Sequence, residues 1–218
     1  MRLFVTPLIK TLKKVSKQNE FLDYLDSFRY PLAGEFSIRS DVINDLHIPS
    51  DWGLEVGVLS EMKRNYAENR LCQSDIADIY DHKHQDLSAD DTEKGLSKMT
   101  IDIAKALFRK LATNGDVFST EKFRTIKATY YRIALDFIDT YHNDAIINGL
   151  EFDRHKEEQS VELFASNIMA AGDYFLDKPM DKPFIPSWNR VISAIPDILD
   201  QLKVAVEADN EEFKGERR

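Results

Sequence analysis

Histidines, carboxylates and glycines that could do chemistry gather in one stretch, from Pro31 to Gln85. It holds Pro31-Leu32-Ala33-Gly34-Glu35-Phe36, then Asp51-Trp52-Gly53-Leu54-Glu55-Val56-Gly57, then Asp81-His82-Lys83-His84-Gln85. His82 and His84 alternate, so in extended backbone they point the same way. A neutral imidazole is a good ligand for a divalent ion, and Asp75, Asp78 and Asp81 lie close by. The plain alternative is two solvated histidines in a polar loop beside an acidic edge. Glu55 falls in the first turn of a helix that begins after Gly53. A carboxylate there is favoured by the helix dipole by ~0.3–1 kcal/mol, which is a structural reason of its own. The same place also holds substrate groups well. Gly34-Glu35 reads either as a simple turn or as a loop touching a ligand, because glycine allows close approach. Trp52 reads as packing, and Cys72, the one cysteine, as a buried and inert thiol.

The elements around this stretch are helices. Thr6-Pro7 reads as a helix start, a capping hydroxyl before proline at the first helical position. The apolar Leu3-Phe4-Val5 directly before it predicts a natural module that begins upstream. Short helices fit Glu20 to Phe28 and Ser40 to about Leu46, and a longer one fits Leu54 to about Asn69. Leu71 to Tyr80 has the length and residues of a short strand. After Ser88 the helical period runs almost unbroken. One helix stops at Asn114-Gly115, and the longest runs from Ser119 or Thr120 to Ile147 before Asn148-Gly149. Another spans Glu157 to Leu176. A last one starts after Ser187 and must kink or split at Pro196. Tyr130 and Tyr131 are adjacent in the long helix, so only one can face inward. The fold class is therefore mainly α with a small β component before Gln85.

Composition narrows the function. The 218 residues carry 29 lysines and arginines against 38 aspartates and glutamates, a formal charge of -9. That balance speaks against a nucleic-acid partner, which would want a basic face. No apolar run reaches the roughly 20 residues that span a bilayer, and the single cysteine fits a reducing, cytoplasmic setting. Phosphate-binding glycine loops, zinc spacings and serine nucleophile elbows are absent from the sequence.

Together, and in this order, the three clusters resemble the second half of the glucosyl-3-phosphoglycerate synthase family of retaining glycosyltransferases with a GT-A-type α/β fold. Leu3-Phe4-Val5-Thr6-Pro7-Leu8-Ile9 is similar to that family's helix after its acceptor segment. The motifs cover Leu3 to about Leu111. The resemblance implies an acceptor- and metal-side part over 1–115 and a helical carboxy-terminal extension over 116–218. It implies transfer of glucose from a nucleotide-diphosphate sugar to the 2-hydroxyl of 3-phosphoglycerate, with Mg²⁺ or Mn²⁺, in the synthesis of a compatible solute. By the same resemblance Glu55 is the catalytic-site acid and His82 completes the metal shell. Gly34, Glu35, His84 and Gln85 fall on the substrate wall. Two of these depart from the family pattern: His84 stands where asparagine is frequent, and Gln85 where arginine is. The family's nucleotide-binding sheet, Asp-x-Asp motif and glycine-rich arginine loop have no counterpart in this chain. The expectation is a fragment or split subunit, inactive alone, forming a homodimer or associating with the missing amino-terminal half. The competing reading is a non-enzymatic helical interaction module.

Overall fold

The computed structural model describes residues 2–16, 18–76, 95–181 and 185–216. Nine α-helices occur among them. These are α1 (Arg2–Val15), α2 (Glu20–Asp26), α3 (Ser40–Ile43), α4 (Leu54–Asn65), α5 (Gly95–Thr113), α6 (Thr120–Ile147), α7 (Arg154–Asp177), α8 (Trp188–Ala194) and α9 (Ile198–Glu216). A 3₁₀ turn covers Glu68–Arg70. The core is the packing of α6 on α7, α5 on α7 and α1 on α6, with α2 and α4 laid against α1 and α5.

Apolar stripes at helical spacing make this bundle. Leu8 and Leu12 of α1, Leu107 and Leu111 of α5, Ile126 and Ile138 of α6, and Val161 and Ile168 of α7 are all buried in one cluster. Its centre is aromatic. Phe108, Phe118, Phe123 and Phe175 form a group with ring centroids 4.9–6.5 Å apart. Gly172 of α7 makes room for it, since a Cβ there would sit 2.6 Å from the Phe123 ring. Two polar pairs lie inside the bundle. Asn167 Nδ2 donates to Thr100 Oγ1 at 2.8 Å, joining α7 to α5. The buried Asp102 and Lys105 pair at 3.2 Å, and Lys105 also lies 4.2 Å from the centre of the Tyr174 ring.

Helix ends follow local chemistry. Asn19, Ser119 and Asp153 cap α2, α6 and α7 with side-chain oxygens. Gly115 and Gly149, with φ of 97° and 65°, close α5 and α6 in the left-handed conformation that costs other residues energy. Pro196 splits the last helix into α8 and α9. Of the tyrosine pair, Tyr130 is buried and Tyr131 exposed.

Three expectations need correction. First, α1 starts at Arg2, and Pro7 lies inside it. Proline has no N–H, so the carbonyl of Leu3 loses its helical partner. The buried Tyr130 hydroxyl donates to that carbonyl at 2.6 Å, which removes the penalty of an unpaired buried acceptor. Second, the strand expected over Leu71 to Tyr80 is not formed where it can be seen. Residues 71–76 are irregular, no strand occurs among the described residues, and 77–80 lie outside them. Backbone groups without a neighbouring strand have no ladder to join. Side chains fix the segment instead. Gln73 accepts from Arg29 N and donates to Ser27 O, and Asp75 pairs with Arg29 at 2.9 Å. Third, this surface course leaves Cys72 exposed rather than buried.

Candidate functional site

The amino end of α4 is fixed by two glycines that tolerate no side chain. A Cβ on Gly53 would lie 2.7 Å from Ala106 Cβ of α5, and one on Gly57 would lie 2.2 Å from the Pro49 ring. Asp51 Oδ1 accepts from Gly53 N at 2.9 Å and shapes the turn into the helix. The first turn of α4 is therefore pressed onto α5, and this seats Glu55. Further along α4, the buried Glu61 accepts from Arg64 at 2.9 Å and faces His47 Nδ1 at 3.5 Å. That contact holds the 46–48 loop against the helix.

Burial raises the pKa of the half-buried Glu55 carboxyl, and a hydrogen bond from its own N–H partly opposes the rise. Among the described residues Glu55 makes no ion pair. Tyr30 lies beside it. Burial pushes the Tyr30 phenol up first, and the charges of Glu55 and then Glu35 add to the rise. The charges of Glu35 and Glu55, 20 positions apart in sequence, thus both act on one hydroxyl. Gly34 belongs to the same exposed loop. It has no positive φ, and no atom lies within 4 Å of where its side chain would begin, so its own conformation does not require glycine.

Of the six site residues expected from sequence, Glu35 and Glu55 both influence Tyr30 electrostatically, and Gly34 precedes Glu35 in the same exposed loop. His82, His84 and Gln85 lie outside the described residues. Tyr30 was missed. Its only signal was an aromatic hydroxyl ahead of Pro31, and nothing in the spacing linked it to a residue in α4. Trp52, expected to pack, is exposed. Two concavities, of about 370 and 550 Å³, lie elsewhere: one against Lys63 and Lys110, the other against Arg124 and Tyr131.

Two carboxylates acting on one phenol suit a hydroxyl-rich ligand. Carboxylates accept from hydroxyls, and a carboxyl with a raised pKa keeps a proton to donate up to a higher pH. The same pair repels phosphate. No group of three or more potential ligands that could hold a metal occurs among the described residues. Those residues alone do not fit a divalent ion, which takes six or more oxygens from protein, substrate and water. No described helix is long and apolar enough to cross a membrane.

No family model and no solved structure matches the chain. Two curated proteins do. The glucosyl-3-phosphoglycerate synthase of Persephonella marina is 46% identical over 209 residues, covering 96% of this chain and 52% of its own length. That of Methanococcoides burtonii is 43% identical over 213 residues, covering 97% of this chain and 52% of its own length. The chain spans about half the length of these relatives, in keeping with a carboxy-terminal part of such an enzyme. By sequence, nearly end to end, it is a relative of the glucosyl-3-phosphoglycerate synthases.

Proposed function

We propose that this chain is the carboxy-terminal part of a retaining, GT-A-type glycosyltransferase. The complete enzyme moves glucose from a nucleotide-diphosphate sugar to the 2-hydroxyl of 3-phosphoglycerate, in the cytoplasm, as a step toward the compatible solute glucosylglycerate. One observation carries this reading: 43–46% identity over almost the whole chain to two proteins of that name. The geometry adds a division of labour. Both substrates are anionic, and Glu35 and Glu55 would repel their phosphates. These two carboxylates and Tyr30 therefore hold sugar hydroxyls, while cationic groups elsewhere in the complete enzyme hold the phosphates. Gly34 leaves the loop open for the ligand to approach, His84 falls on the acceptor side, and Gln85 falls near the nucleotide phosphates.

Mg²⁺ or Mn²⁺ belongs to the complete enzyme, where it neutralises the departing diphosphate. From this chain His82 would supply one imidazole nitrogen. What this chain's residues do is orient. Held reactants can lower a barrier by ~7–11 kcal/mol, but only when donor and acceptor are fixed together. The 218 residues alone should therefore show no glucosyl transfer to 3-phosphoglycerate with Mg²⁺. Supplying the other half of a full-length relative, fused or in trans, should restore it. Full activity of the 218-residue chain by itself would overturn the reading of a part. Failure of every complemented or fused form to transfer glucose would overturn the reaction. In the restored enzyme, His82→Ala should raise the metal concentration needed for half-maximal rate. An unchanged metal requirement would remove His82 from the site.

A further inference from the structure

The carboxy ends of α4 and α5 meet the start of α2 around an open cleft of about 370 Å³. That is the size of a small-ligand site. Lys63 and Arg64 of α4 and Lys110 of α5 line it, together with the side-chain amides of Gln18 and Asn114. A cation in the last turn of a helix is favoured by the helix dipole, which accounts for each of the three singly. It does not account for two helix ends that bring their cations to one hollow.

The acids nearby are shared unevenly. Lys63 pairs with Glu68, and Glu20 lies 4.0 Å from it. Arg64 Nη2 donates to the buried Glu61 at 2.9 Å and Arg64 Nε donates to Asn65 Oδ1 at 3.3 Å, which leaves Nη1 for another acceptor. Lys110 is half-buried and makes no ion pair among the described residues. Its ammonium lies 5.7 Å from the centre of the Phe21 ring. Burial lowers the Lys110 pKa first, the charge of Arg64 lowers it further, and Glu61 offsets them only in part. Positive charge is therefore in excess at this lysine. The side chains of Gln18 and Asn114 make no hydrogen bond among the described residues, so their amide donors remain available.

We propose that this cleft binds a phosphate group, with Lys110 and Arg64 supplying charge and Gln18 and Asn114 supplying neutral donors. Ammonium and guanidinium N–H groups both make charge-assisted hydrogen bonds to phosphate oxygens. A phosphate dianion also gives Lys110 the counterion that Glu61, already held by Arg64, does not. The cleft has room beyond one phosphate, so free phosphate and a small phosphate monoester share this chemistry. It lies ~13 Å along α4 from Glu55, counted from Glu55 to Arg64 at 1.5 Å per residue. The inference does not rest on the sugar-transfer reading.

Calorimetric titration of the 218-residue chain tests it, with inorganic phosphate and glycerol 3-phosphate as probes and sodium chloride matching the ionic strength. Both probes should bind with dissociation constants in the millimolar range or tighter. Lys110→Gln should weaken both by about tenfold or more and keep the helical circular dichroism, because the ammonium it removes has no anion partner. In the wild-type chain, phosphate should slow acetylation of Lys110, read by mass spectrometry, and leave that of the exposed Lys127 unchanged. Tighter binding of the ester supports the site and assigns it a phosphate monoester, and equal binding supports it for free phosphate. A wild-type chain that binds neither probe overturns the proposal. Binding that Lys110→Gln leaves undiminished overturns it in favour of an anion site elsewhere. Acetylation of Lys110 that phosphate does not slow overturns it as well, whether or not the variant folds.

Discussion

The bundle of α1, α5, α6 and α7 and the segment from Tyr30 to Gly53 obey different rules. In the bundle each buried polar group named above has a partner on another element or an adjacent turn, and side chains interlock around Phe108 and Phe123. The 30–53 segment has one helix of four residues and a small cluster, Val42 and Leu46 packed with Val58 of α4. The charges of Glu35 in this segment and of Glu55 in α4 both raise the pKa of Tyr30. The difference is one between a packed scaffold and a polar, largely irregular surface segment.

The comparison breaks most readily at the centre of the bundle. Phe123→Ala removes a ring in contact with three other phenylalanines and should cost ~3–5 kcal/mol, a large share of a domain's stability. Urea denaturation reads it directly. A loss under about 1 kcal/mol would mean that the aromatic group collapses around the gap. Tyr130→Phe keeps the ring and removes the donor to Leu3 O, so it should cost ~1–3 kcal/mol and lower Tm by roughly 2–4 °C per kcal/mol. Thermal melting that matches wild type would show that the Leu3 carbonyl finds another partner.

On the other side of the comparison the expected changes are small or favourable. Gly34→Ala meets no atom and needs no left-handed backbone, so it should stabilise the chain by ~0.4–1 kcal/mol through the unfolded state. In the complete enzyme it should nevertheless raise KM if a substrate passes over this loop. The smallest effect is one of sign. Burial holds the folded pKa of Glu55 above its unfolded value, so the native state binds that proton more tightly. The carboxyl's contribution is most favourable below the unfolded pKa and is lost as pH rises through the folded one. Glu55→Gln should therefore stabilise the chain at about pH 7 and make little difference at about pH 3, where both states are protonated. Paired denaturation curves at the two pH values test this, and equal curves at both would place Glu55 in open solvent.

The sequence made the bundle legible because its signals are local and repeated. The apolar period of α6, the Ser119 cap and the Asn148-Gly149 stop each act within a turn or two of the helix. The errors lie where a distant residue decides. Thr6-Pro7 resembles a helix start, and only a phenol 123 positions beyond Pro7 allows the helix to run through it. Leu71 to Ile76 has strand residues, yet a strand needs a partner, and Arg29 and Gln73 fix the segment in another way. Exposed Cys72 follows from the same cause. Of the site, Glu55 was legible from its helix position and Glu35 from the glycine before it. Their joint effect on Tyr30 was not, since no periodicity relates a loop residue to a helix 20 positions later.

The bond from Tyr130 to Leu3 also sets an order of events during synthesis. Helix α1 carries Leu3, Phe4 and Val5, and their cover comes from α6 and α7, which leave a ribosome more than a hundred residues after it. Translation at ≈ 5–20 residues per second leaves that apolar face bare for several seconds or longer. Within this chain α1 is thus a segment that a chaperone would have reason to hold, and the bundle can close only after α7 has emerged.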